Sequence, residues 1–166
     1  MSVRAVVAAG SNVGDRAGTV SRGLSLLAVH PQVTVAAVSP VYETDPVGGP
    51  AQADFLNVVA LVDTDLEALS LLGLLHVIEA ACGRERPEHW GPRTLDLDLI
   101  AFGELTSTDE RCTVPHPRAH ERAFVLQPWA ALDPAAVLVG KGSVARLLSG
   151  LDASGVRERP DLEVTA

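Results

Sequence analysis

The sequence predicts an α+β fold in which an antiparallel sheet carries helices packed on one face. Three observations lead there. Segments of strand period and helix period follow one another in the order β-α-β-β-α-β between residues 3 and 102, with extra elements behind them. The chain has 166 residues, 47% of them apolar, which suits one core of ordinary domain size and argues against intrinsic disorder. No internal repeat, low-complexity run or linker interrupts it, so residues 1–166 read as a single domain, with 150–166 as a loosely held polar tail.

Each element has its own warrant. Residues 3–9, VRAVVAA, form an apolar strand-like run that ends at the turn GSNVGD. That turn has a slight likeness to a phosphate loop, but no GxxxxGK[ST] pattern is present, and a strand-to-helix turn is the preferred reading. From Asp15 to about His30, Val20, Leu24, Leu27 and Ala28 recur at helical spacing, and Pro31 stops the run. VTVAAVSPVYE, 33–43, is a second strand, broken or bulged at Pro40. TDPVGGPAQAD is rich in Gly and Pro and is long enough to suspect a function. FLNVVALVDT, 55–64, is the third strand. A second helix follows, capped by Asp65, with Leu66, Leu69, Leu72 and His76 on one side and Gly83 at its end. GRERPEHWGPR is another irregular loop, and TLDLDLIAF, 94–102, is a fourth strand with clear alternation. Short helices are expected at 120–132 and 143–149. This order is the ferredoxin-like βαββαβ arrangement with long functional loops.

Composition narrows the partners. Thirteen basic against 21 acidic residues give a formal charge of −8, which speaks against a general nucleic-acid binder. Lys141 is the sole lysine. Six of the twelve arginines lie between Arg84 and Arg122, as expected of a site for a small anion, because the guanidinium fork suits phosphate. Cys82 and Cys112 match no zinc spacing and no disulfide framework, so a reducing, cytoplasmic setting is expected. No stretch is long and apolar enough for a membrane span, and the N-terminal apolar run is too short for a signal peptide.

The sharpest feature is TLDLDLI, 94–100. Alternation along a strand sends Leu95, Leu97 and Leu99 one way and Asp96 and Asp98 the other, the carboxylate-bearing Cα atoms about 7 Å apart. Aspartate is disfavoured in strands, and two like charges on one face repel, unless a divalent metal lies between them. A solvated outer face is the other explanation of the same pattern. The arginines around the pair, Arg84, Arg86, Arg93, Arg111, Arg118 and Arg122, complete a parts list for phosphoryl transfer, in which cations neutralise charge at the moving group. His116, held between two prolines, is a candidate ligand contact. Phe55, Trp90 and Phe124 stand beside polar motif residues in an aromatic-poor chain. They fit a flat heterocycle or ordinary core packing.

WGPRTLDLDLI (90–100) and TVPHPRAHERAF (113–124), supported by GSNVGD, VYETDPVG and FLN at 55–57, resemble the 6-hydroxymethyl-7,8-dihydropterin pyrophosphokinases of folate biosynthesis. The resemblance covers roughly residues 5–135. It implies transfer of the terminal diphosphate of ATP to the pterin hydroxymethyl group, release of AMP, two Mg²⁺ ions and a monomer. By matching position, Asp96 and Asp98 hold the metals. Arg93, with Arg84 and Arg86 from the loop, contacts phosphate, and Glu79, Arg111, Thr113, His116 and Arg122 lie at ATP. Phe55 and Phe124 sandwich the pterin, Asn57 and the backbone around Thr44, Asp45 and Val47 bind its edge, and Trp90 closes over it. Departures are His89 and His76, where some relatives carry Arg and Gln, a loop 83–92 one residue shorter, and Phe55 where many carry Tyr. The alternative from another class is a non-catalytic ferredoxin-like module that binds a pterin or nucleotide.

Overall fold

A computed structural model describes residues 1–46, 48–49, 51–83 and 94–166. The first strand, β1 (Val3–Ser11), leads into α1 (Arg16–Ala28), whose first turn is closed by the Asp15 carboxylate accepting from the Gly18 N–H. The expected second strand is two: β2 (Val33–Val38) and β3 (Tyr42–Thr44). Pro40 has no N–H for a ladder, and the break is bridged by Ser39, whose hydroxyl accepts from the Val59 N–H at 2.9 Å. Both pieces pair with β4 (Phe55–Thr64), β3 along its first half and β2 along its second. Next come α2 (Ala68–Ala81), β5 (Asp96–Phe102), a 3-10 turn at 119–121 and α3 (Ala123–Leu132). The chain ends with the two-residue ribbon β6 (Val137–Leu138) and β7 (Gly142–Ser143), α4 (Val144–Ser149) and β8 (Val156–Glu158).

Among the described residues the main sheet runs β5-β1-β4-β3-β8, every pair antiparallel, with β2 on β4 beside β3. That is the ferredoxin-like order with one strand added. The ladder between β1 and β5 shifts register between Val6 and Val7. Val7 faces Leu99 and Val6 faces Ala101, so Ile100 is an extra residue.

The sheet has a core on each side. On one, Ala5, Val7 and Ala9 of β1, alternate residues of β4 and the three leucines 95, 97 and 99 meet α1 and α2. Gly23 lets α1 come close, since a Cβ there would lie 2.7 Å from Leu95 Cδ2. On the other, Val6, Val59, Leu61 and Ile100 meet Val125, Leu126 and Trp129 of α3 and Val144 of α4. The two helices of the βαββαβ core thus share one face as expected, and the C-terminal helices add a layer the sequence reading did not include.

Two other expectations change. The α2 stripe is Ala68, Leu71, Leu75, Ile78 and Glu79, while Leu69 is 44% exposed and His76 faces outward. The helix is apolar nearly all round, so periodicity alone could not fix its rotation. Its N-cap is Glu67, with Thr64 Oγ1 accepting from the Leu66 N–H just before it. Residues 150–166 are not a loosely held tail. β8 pairs with β3, the Arg159 N–H donates to Val41 O at 2.8 Å, and Val164 is buried in the first core. No helix among the described residues is long and apolar enough to cross a membrane.

Candidate active site

The sheet face that carries the second core changes character along its length. β5 and the residue just before it place Leu95, Leu97 and Leu99 in the first core, at most 4% exposed, and β5 turns Asp96 and Asp98 to the opposite side, half-buried. Pairing extends that row across the sheet. Asp96 is opposite Gly10 and Gly10 opposite Asn57, while Asp98 is opposite Ala8 and Ala8 opposite Val59. Where α3 and α4 pack, this face is Val6, Val59, Leu61 and Ile100. Beyond them it becomes Asp96, Asp98, Asn57 and Phe55.

Gly10 is required in this row. A Cβ there would collide with Asn57 Oδ1 and lie 3.2 Å from Leu56 O, so only glycine keeps the strip between Asp96 and Asn57 open. Asn57 Nδ2 donates to Thr44 Oγ1 at 2.7 Å. Thr44 is itself buried and pairs with Phe55 at the end of the β3–β4 ladder.

The segment after β5 supplies the opposing wall. The His116 N–H donates to Ile100 O at 2.8 Å, which fastens the segment to the carboxylate strand. His116 Nδ1 accepts from the Arg118 N–H at 3.1 Å, so the neutral ring carries its hydrogen on Nε2. Burial first, then the cations Arg122 and Arg118, push His116 down to about 4 against the opposing pull of Asp96. Arg122 is the N-cap of α3. Its guanidinium lies 3.8 Å from Asp98 Oδ2 and 5.5 Å from the centre of the Phe124 ring. Burial pulls it below its ordinary value and Asp98 opposes, but an arginine so placed keeps its charge.

A cavity of about 390 Å³ opens beside Arg122 and Phe124. Arg118, Arg122 and Phe124 line one side, Thr44, Asp45 and Pro46 another, and residues between Leu151 and Val156 the third. Such a volume suits a small-molecule ligand. Among the described residues, no three His, Cys, Asp or Glu side chains gather to hold a metal. A pair of aspartates fits a hard divalent cation that keeps waters and takes further oxygens from phosphate. The whole offers carboxylates, cations and aromatic faces to a ligand that is part phosphate and part flat ring.

The family model of 7,8-dihydro-6-hydroxymethylpterin-pyrophosphokinase matches residues 6–134. The 2-amino-4-hydroxy-6-hydroxymethyldihydropteridine pyrophosphokinase of Bacillus subtilis (strain 168) is 47% identical over 128 residues, 77% of each chain. The chain belongs to this pyrophosphokinase family. The Pseudomonas aeruginosa pyrophosphokinase is 40% identical over 160 residues, 96% of this chain and 99% of its own. Of solved structures, wild-type Plasmodium falciparum HPPK-DHPS with pteroate has a TM-score of 0.71 at 14% identity over 90% of this chain, a likeness of fold. This chain spans 42% of that larger one. Pyrophosphokinases are transferases, so the chain is an enzyme.

The described pyrophosphokinase site residues expected from sequence fall into four groups. Asp96, Asp98, His116, Arg122 and Phe124 come together at one side, and Thr44, Asp45, Phe55 and Asn57 at the other. Arg111 and Thr113 form a separate cluster on Asp109. Arg111 Nη2 lies 2.8 Å from its carboxylate, which falls to about 2 beside that cation, and the Thr113 hydroxyl donates to Asp109 O. Glu79 is buried at the other side of β5, its Oε2 accepting from the Leu97 N–H at 3.0 Å. Val47, Arg84, Arg86, Trp90 and Arg93 lie outside the described residues, as does His89.

Sequence reasoning missed Gly10, Asn12, Arg16 and the wall at 151–156. Asn12 Nδ2 donates to Gln52 Oε1 and Ala53 O, and Arg16 donates to Asp54 O, so the turn after β1 holds the end of the 44–54 loop. The GSN turn was a signal available for Asn12. The polar composition of 151–156 gave none.

Proposed function

We propose that this chain transfers the terminal diphosphate of ATP to the hydroxymethyl group of 6-hydroxymethyl-7,8-dihydropterin, a step of folate biosynthesis, and releases AMP. The observation that carries this is the row Asp96, Asp98, Gly10 and Asn57 on one sheet face, flanked by Arg122, Phe55 and Phe124. The pterin hydroxyl oxygen bonds to the β-phosphorus of ATP. The bond from that phosphorus to the oxygen bridging the α-phosphate breaks, AMP keeps the bridging oxygen, and the hydroxyl proton leaves. The nucleophile is a substrate group, so the protein contributes position and charge.

Asn57 and the backbone around Thr44, Asp45 and Val47 read the pterin edge. Phe55 and Phe124 hold its faces, with Trp90 over the ring by family position. Arg122 and the Nε2–H of neutral His116 donate to phosphate oxygens. By the same resemblance Arg84, Arg86 and Arg93 add charge at the phosphates, and Glu79, Arg111 and Thr113 belong to the ATP side. Asp96 and Asp98 would hold two Mg²⁺ ions, which when bound neutralise phosphate charge and orient the reacting oxygens. On this reading the enzyme works as a single-domain monomer in the cytoplasm.

Product analysis tests the proposal. AMP should appear only when ATP, Mg²⁺ and the pterin are all present. Asp96→Ala and Asp98→Ala should each lower turnover by about 10²-fold or more while circular dichroism stays unchanged. ADP as product would mean a simple kinase. Pterin binding without nucleotide turnover would mean a binding module.

A further inference from the structure

β8 lies beyond residues 6–134, and it sets Arg157 against the base of the 44–54 loop. Arg157 Nη1 donates to Asp45 Oδ1 at 3.0 Å and Nη2 to Asp54 Oδ2 at 2.9 Å, with Glu43 Oε1 at 4.0 Å. Asp45 directly follows Thr44, and Asp54 directly precedes Phe55. Thr44 and Phe55 are the last paired residues of the β3–β4 ladder. One guanidinium therefore adds a side-chain rung just past the point where the backbone rungs stop. The two ends are also held separately. The Asp45 N–H donates to Gly155 O at 3.1 Å, and Asp54 O accepts from Arg16 at 2.9 Å. Gly155 sits so close that a Cβ would lie 2.9 Å from Asp45 Oδ2.

We propose that Arg157 is a positioning residue for the pterin. By tying Asp45 to Asp54 it keeps Thr44, Asn57 and Phe55 in the arrangement that receives the ring. The inference rests on the pyrophosphokinase reading of those three residues. Exposed ion pairs add little to global stability. Their effect here falls on a local population, because affinity drops by the fraction of molecules whose hairpin end is correctly closed. Saturating pterin restores that fraction, so the cost appears in KM and not in kcat. A lysine at 157 lacks the planar fork needed to hold both carboxylates in this way.

The test compares full-length wild type with Arg157→Ala, Arg157→Lys, Asp54→Asn and the Arg157→Ala/Asp54→Asn double variant. Arg157→Ala should raise KM for the pterin about three- to tenfold, the effect of losing two exposed charge pairs. KM for ATP and kcat should stay within about twofold, and the lysine variant should fall between. The double variant should add little to Arg157→Ala, since both remove one interaction. Hydrogen exchange at the Asp45 amide should quicken while Tm holds. An unchanged pterin KM, additive variants, or a parallel loss of kcat and Tm would overturn the proposal. If wild type makes no AMP, the pyrophosphokinase reading fails instead, and exchange at Asp45 still reports whether Arg157 holds the loop.

Discussion

His116 is a ring kept neutral by what surrounds it. Its ordinary value near 6.5 falls to about 4 in the folded protein, because burial and the Arg122 and Arg118 cations penalise the imidazolium. Between those values the unfolded chain binds more protons than the folded one. This contribution to stability is therefore complete above pH 6.5 and is lost as pH falls toward 4. Urea unfolding followed from pH 7 to 4.5 should show that loss in wild type, and His116→Asn should flatten the slope in the same window. An identical slope in both would mean that His116 titrates normally. At this scale the sequence showed a rigid histidine between prolines. It could not show the burial that chiefly keeps the ring neutral, nor the approach of the two arginines that assist, which depends on the turn at 119–121.

Among the described residues β5 is an edge strand, and α2 bears on its outer side. The Leu97 N–H, midway between the two aspartates, is taken by Glu79 of α2. Leu95 packs against α1 at Gly23, so both helices of the first layer bear on the strand. Glu79→Ala should cost about 1–3 kcal/mol, the penalty for leaving a buried group unsatisfied, and Glu79→Gln, which keeps an acceptor, should cost less. Urea midpoints measure both; equal losses would show that the bond to Leu97 is not what matters. The carboxylate strand was legible from its strict alternation, and β4 from its continuous apolar run. The rotation of α2 was not, because a helix with leucines on most sides has no unique buried face until a sheet chooses one. The contact of Arg111 with Asp109 was not read from the sequence either, where Arg111 stood as an ATP contact by resemblance.

At the scale of the whole molecule, the C-terminal residues complete both the sheet and the cavity. β8 adds a strand to β3, Leu162 and Val164 pack on the first core, and residues 151–156 form one cavity wall. A chain ended at residue 150 should lose about 3 kcal/mol or more of stability, since burying a single Leu or Val is worth about 1.5–3 kcal/mol. A shift of the urea midpoint reads the loss, and an unchanged midpoint would mean that the segment is only draped on the surface. The βαββαβ order was legible because each element announces its own period. This last strand was not: VRE alternates too briefly to stand out, and its partners lie more than a hundred residues earlier.

The extra residue at Ile100 acts as a change of phase in β5. Before it, even-numbered positions face the site; after it, Phe102 has crossed to the α1 and α2 side. The orientation of the aspartates is therefore insulated from whatever length changes accumulate downstream toward Gly103. Loss of one residue at the bulge would restore a regular ladder and leave Asp96 and Asp98 where they are. Loss of one residue between them would leave a single carboxylate on that face.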